Sequence, residues 1–123
     1  MQRNEIRRGP MAMSPRELDA FLEGRPTGAI CFDEDSGALV ALPAAVVGGS
    51  VRQGELHMCV AGTVCISRDL PACLVADSFT SYTAIRGIIA QGAVSSATAG
   101  VHSDILVWLR LNRVRTFSFA DAV

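Results

Sequence analysis

The chain contains no lysine; all eleven of its basic side chains are arginines. That excludes Schiff-base chemistry on a lysine amine and the lysine of a P-loop. Gly-x-Gly-x-x-Gly and Walker patterns are also missing, which excludes a Rossmann or P-loop nucleotide site. Positive charge is not in excess either. Eleven basic residues against twelve acidic ones leave a net charge of −1, so nothing recruits nucleic-acid phosphates. No apolar run approaches the ~20 residues a membrane helix needs. The start, from Met1-Gln2-Arg3-Asn4 to Glu5-Ile6-Arg7-Arg8, lacks the apolar centre of a secretory signal. The four cysteines (Cys31, Cys59, Cys65, Cys73) form no Cys-x-x-Cys pair and lie in apolar stretches, which reads as reduced core thiols. The expectation is a cytoplasmic protein that binds neither nucleic acid nor membrane.

What is present points to one folded domain. Of the 123 residues, 50% are hydrophobic and 19% charged, which is enough apolar content to offset the entropy of folding. A core of this size buries roughly two-thirds of the surface the unfolded chain exposes. Residues 1–12 read as a polar, arginine-bearing arm, frayed or held by a partner. Residues 13–123 read as the domain.

Ser14-Pro15-Arg16-Glu17 spells a capping box, with Ser14 as N-cap, Pro15 at the first helical position and Glu17 reaching back. Met13 and Leu18 are spaced as a hydrophobic staple. Leu18, Phe21 and Leu22 share a face, and Gly24-Arg25-Pro26 ends the helix. Beyond it the period becomes that of strands. Thr27 to Phe32 is a first strand and Asp33–Gly37 an acidic hairpin turn. Ala38 to Val47 is a second strand, whose Pro43 requires an edge, a bulge or a barrel mouth. Gly48-Gly49 and Gln53-Gly54 bracket a turn. Leu56, Met58 and Val60 alternate with His57 and Cys59 as a half-buried strand.

Thr63 to Leu70 reads as a short helix or turn, and Ala72 to Asp77 as a strand. After a loop from Asp77 to Ser81, Tyr82 to Val94 is a long strand. Its Gly87 and Gly92 mark bulges or close backbone approach. Ser95 to Asp104 reads as a loop or weak helix, and Ile105–Leu111 and Val114–Phe119 as two last strands. Six or seven strands in one domain, with one or two short helices, predict a closed or nearly closed β-barrel.

Triad residue types occur in His102-Ser103-Asp104, but neighbours in one loop cannot converge into a relay. On a strand, His57 and Cys59 share a face while Met58 points away, so a hydrogen-bonded histidine is the better reading than a metal or haem ligand. Thr63 and Arg68 are more suggestive. A hydroxyl, backbone amides and a guanidinium after a strand suit a phosphate.

The order of these pieces carries a resemblance. Arg68-Asp69-Leu70-Pro71, the strand to Asp77, and Ser81-Tyr82-Thr83-Ala84-Ile85-Arg86-Gly87-Ile88-Ile89-Ala90-Gln91-Gly92 follow one another. Together they resemble the pyridoxamine 5′-phosphate oxidase-like split-barrel family, as does the closing Asn112-Arg113-Val114-Arg115-Thr116-Phe117-Ser118-Phe119. The likeness spans about residues 13 to 120. It implies a mainly β, six-stranded split barrel that forms a homodimer with FMN at the subunit interface. By that likeness the phosphate sits near Thr63, Ser67 and Arg68. The flavin ring lies along Pro43, Ala44, Ala45 and Val46. Arg86 reaches the cofactor or the partner subunit, or makes an interface salt bridge. The implied activity is that of an oxidoreductase moving a hydride between a reduced donor and a small acceptor, with the flavin supplying the redox chemistry. A deazaflavin is the alternative cofactor. The rival reading is a non-catalytic binding module of the same fold, holding haem or another planar ligand or none, with His57 the first axial ligand to test.

Overall fold

The helix forms where its capping signals place it. In the computed structural model, which describes residues 5–7, 12–62, 65–79, 85–100 and 102–118, α1 spans Pro15–Glu23. The Ser14 side chain accepts from the Glu17 amide at 3.2 Å, and the Glu17 carboxylate accepts from the Ser14 amide at 3.2 Å. Both orphan donors are thereby satisfied. The Gly24 amide closes the other end on Ala20 O. Leu18 and Phe21 are buried in the main core, and Met13 joins them, its amide donating to Thr116 Oγ1 at 3.1 Å.

Seven strands follow one sheet: β1 (Glu5–Arg7), β2 (Thr27–Asp33), β3 (Leu39–Ser50), β4 (Glu55–Ala61), β5 (Pro71–Phe79), β6 (Ile85–Ala99) and β7 (Asp104–Ser118). The order is β1-β7-β4-β3-β2-β5-β6, and β6 pairs back onto β7. The antiparallel strands β2 to β7 therefore close into a six-stranded barrel, while β1 runs parallel to β7 along Arg113–Arg115. The barrel is as the strand count predicts. One helix is present among the described residues.

Period-two alternation decides which side chains fill the barrel. Ile30 and Phe32, Ala44 and Val46, Leu56, Met58 and Val60 point inward from β2, β3 and β4. Leu74 and Ala76, Ile88, Ala90 and Val94, and Val107, Leu109, Leu111 and Val114 do so from β5, β6 and β7. Their neighbours face out.

One open alternative is decided and three local expectations need correction. Of the short helix or turn expected from Thr63 to Leu70, residues 65–70 form the turn, with the Leu70 amide on Ser67 O. The turn is pinned to β6 by Asp69 N on Val94 O and Val94 N on Leu70 O. β5 runs on to Phe79, through residues read as a loop, because the pairing of Ser78 and Phe79 with Arg86 and Ile85 continues its ladder. The stretch read as a loop from Ser95 is the second half of β6, whose small polar residues pair with β7 across a bulge between Val94 and Ser96. His102 and Ser103, both at positive φ, make the actual turn. β7 does not break at Asn112-Arg113, since β6 pairs along it from Ile105 to Ser118.

Pro43 sits inside β3, and its surroundings explain why this is tolerated. The Val46 amide donates to Pro26 O on the β2 side. Alternation therefore turns the Pro43 nitrogen toward β4, whose ladder with β3 starts only at Ala44. The missing donor falls at the barrel mouth. The two glycines of β6 mark close approaches, as expected. A Cβ on Gly87 would lie 2.1 Å from the Phe117 ring, and one on Gly92, beside a register shift, 1.8 Å from Arg110 O.

The cysteines are not core residues. Cys31, Cys59 and Cys73 are half-buried, Cys65 is exposed, and all four are free thiols. The first three occupy outward positions of β2, β4 and β5, the phase opposite to the buried residues beside them.

Candidate functional site

The outer surface where β2, β3 and β4 meet is built from very small side chains. Thr27, Gly28, Pro43, Ala44, Ala45, Cys59 and Ala61, with Asp77 and Asp104 at its margins, line an open depression of about 580 Å³. Register brings them together: Ala45 pairs with Thr27 on one side and Cys59 on the other, and Thr27 pairs with Asp77. The smallness of Gly28 is obligatory, since a Cβ there would lie 1.8 Å from Val75 O. The outcome is an open, mainly apolar shelf of small side chains.

Two groups at the edge of this shelf lack complete partners. Cys59 Sγ donates to Asp104 Oδ2 at 2.9 Å, and Asp104 Oδ1 is buried with no hydrogen-bond partner. The carboxylate beside it, with burial second, pushes the Cys59 thiol above the ordinary thiol range, so the proton stays on sulfur. Thr27 and Asp77 also border a second, more polar groove of about 530 Å³ that holds Arg25, Ser78 and Arg86. Arg86 Nη2 stands 3.8 Å from Glu17 Oε2, while its Nε is buried without a partner. Buried polar atoms of native proteins are nearly always paired, so each orphan asks for an explanation.

The structure separates the expected site residues. Pro43 and Ala45 face the shelf. Ala44 lines it from the strand but turns its side chain inward, and Val46 is buried in the barrel with its amide engaged by Pro26. Ser67 lies at a different place, in a hollow with Asp33, Glu34, Asp35 and Cys65. Carboxylates there oppose an anion. Arg68 is exposed in the adjoining turn and forms no ion pair among the described residues. Arg86 lies in the groove beside the shelf, far along the fold from Ser67. Thr63 and the Ser81-Tyr82-Thr83-Ala84 part of the family-like motif fall outside the described residues.

Thr27, Gly28, Cys59, Asp77, Asp104 and Arg25 were not singled out as site residues from the sequence. In the sequence Asp104 stands out only within His102-Ser103-Asp104, and nothing local marks its meeting with Cys59, 45 residues away.

His57 is committed elsewhere. Its Nε2 lies 3.0 Å from Glu55 Oε1, and its ring stacks on Trp108 with centroids 4.1 Å apart. Ser95 Oγ reaches Glu55 Oε2 at 2.8 Å and Trp108 O at 3.1 Å. Hydrogen bonds from His57 first and Ser95 second hold the Glu55 carboxyl below its usual range. Among the described residues no group of three or more potential ligands could hold a metal ion. No helix among them is long and apolar enough to cross a membrane. No family model matches the chain, and no curated protein matches it.

Proposed function

We propose that the protein is a flavin-binding barrel that holds FMN on the shelf over Gly28, Pro43 and Ala45, and acts as an oxidoreductase on a small molecule. One observation carries this reading: an apolar shelf of small residues runs directly into a groove with two arginines, one with a buried unpartnered Nε. A ring with an anionic tail has that profile. The residues fit the group in two places. The alanines and Gly28 leave space for a ring face, and Arg86 with Arg25 offers the forked donors that a phosphate takes. The acidic hollow at Ser67 fits a phosphate less well.

When bound, FMN supplies the hydride chemistry, and the chain's own residues bind and orient. Pro43 and Ala45 exclude water from one ring face. The Cys59 thiol, kept protonated by Asp104, holds a proton at Sγ beside the shelf. In a single chain the shelf is open on its outer side. A second copy of the chain would wall it, which favours a homodimer. The exposed Val47, Val75, Leu106 and Trp108 on the outer barrel surface suit such a contact.

The test is a visible absorption spectrum of the purified protein, repeated after incubation with excess FMN and desalting. Flavin bands that survive desalting are expected. A colourless protein that neither retains FMN nor quenches its fluorescence overturns the reading. Retention of a deazaflavin but not of FMN keeps the shelf and changes the tail. A Soret band would transfer the site to haem, against the engaged His57 ring.

A further inference from the structure

Cys31 and Cys73 are direct cross-strand partners in the antiparallel pair β2–β5. Both side chains face outward and both are half-buried. The alternation that turns Val46 toward β2 sets the pair's type. Ala44 shares that direction with Val46, so its partner Gly28 bonds toward β3, and Cys31, three residues on, bonds toward β5. Cys31 and Cys73 are therefore a hydrogen-bonded pair, with Cα atoms about 5.5 Å apart, inside the range that disulfides span. Their Cβ atoms, roughly 5.5 Å apart in such a pair, must draw closer for a bond to close, and a bond formed under such strain is easily reduced again.

We propose that Cys31 and Cys73 form a reversible dithiol–disulfide site, closed by thiol–disulfide exchange with a low-molecular-weight disulfide such as oxidised glutathione. One cysteine attacks the small disulfide and releases one thiol. The second cysteine then displaces the other half as a second thiol, and a Cys31–Cys73 bond remains. Two protein sulfurs lose one electron each, and the small disulfide takes up both.

No other cysteine has this geometry. Cys59 pairs with Ala45 and Leu106 and donates a hydrogen bond to Asp104. Cys65 lies in the turn before β5 with no register partner. Burial first, then the neighbouring Cys31 sulfur, pushes the Cys73 thiol above the ordinary range, so closure should speed up as pH rises. The two strands stapled are those that bring Thr27, Gly28 and Asp77 to the shelf. Cys31 lies four residues, about 13 Å, along β2 from Thr27. The site stands whether or not the shelf holds a flavin.

The experiment incubates the reduced full-length protein with oxidised glutathione at pH 8 and follows intact mass, free thiols and non-reducing peptide maps. Expected is the loss of the Cys31 and Cys73 thiols with no glutathione retained on either, whatever adduct the exposed Cys65 takes up. A single Cys31–Cys73 linked peptide should appear and be reversed by dithiothreitol. Cys31→Ser should stop closure and leave Cys73 as a glutathione adduct, whereas Cys65→Ser should leave closure intact. Persistent adducts on Cys31 or Cys73 of the wild type, a linkage through Cys59 or Cys65, or no loss of the Cys31 and Cys73 thiols would overturn the proposal.

Discussion

On the outer face of β4, two residues that share one side of the strand meet opposite surroundings. His57 lies in a closed cluster: its ring stacks on Trp108, its Nε2 meets Glu55, and the other Glu55 oxygen takes Ser95. Cys59, at the edge of the shelf, donates to Asp104, whose second oxygen is buried and unpaired, and the nearby groove holds the orphaned Arg86 Nε. Side chains in the His57 cluster satisfy one another and so hold the β4–β7 seam. Those around the shelf are small or incompletely paired, which is the contrast the proposed binding surface rests on. A histidine attracts attention in a sequence, yet here the more informative residues are an alanine-rich strand and two orphaned polar atoms.

Two glycines sharpen this contrast most. Gly28→Ala under the shelf would drive a Cβ into the Val75 carbonyl, which is backbone and cannot step aside. A loss of about 3 kcal/mol is expected in urea or guanidinium unfolding. Gly48→Ala beside the cluster places its Cβ 3.3 Å from His57 Nδ1, a side chain that can shift, and should cost less than about 1 kcal/mol. Equal losses at the two positions would break the contrast.

The next largest effect is on binding. Arg86→Gln should weaken FMN retention by about 1.5–3 kcal/mol, the worth of a charge-assisted contact, measured by fluorescence titration. Arg68→Ala separates the two ends of the barrel. Unchanged affinity there agrees with a phosphate at the Arg25–Arg86 groove. A tenfold loss at Arg68 with none at Arg86 would return the phosphate to the Thr63–Ser67–Arg68 end.

Glu55 offers a smaller, pH-resolved effect. Its carboxyl is held below the ordinary value of 4.5, so the stability it adds is present above that pH and is lost as pH falls through its lowered folded value. Glu55→Gln should lower stability by about 1 kcal/mol near neutrality and flatten the difference from wild type in acid. Denaturant titrations at pH 7 and pH 3 would measure both. Smallest is Arg52→Ala. Its partner Asp19 is 3.8 Å away and both side chains are largely exposed, so a change under about 0.5 kcal/mol is expected in the same titration.

Much of the chain's local structure was legible because it depends on near neighbours. The capping box at Ser14–Glu17 and the alternation of Leu56, Met58 and Val60 appear in the fold as read. So do the acidic turn before Leu39 and the close approaches at Gly87 and Gly92. Misreadings fell where small or polar residues continue a strand, as at Ser95–Ala99 and Asn112-Arg113. Their extended form is imposed by the facing strand rather than by their own propensity. The cysteines were misread for a related reason. Their apolar stretches suggest burial, but only the phase of each strand in the closed barrel turns them outward.

The sequence by itself determined the class of fold, since hydrophobic period and turn residues make this chain mainly β. It also excluded lysine chemistry and P-loop nucleotide binding, because those need residues the chain does not have. Only the tertiary structure decided that β6 returns to β7 and closes the barrel. The same strand order brings Cys59 to Asp104 and Cys31 to Cys73. These meetings join residues distant in the chain, and strand register alone brings them within reach, so no local pattern can announce them.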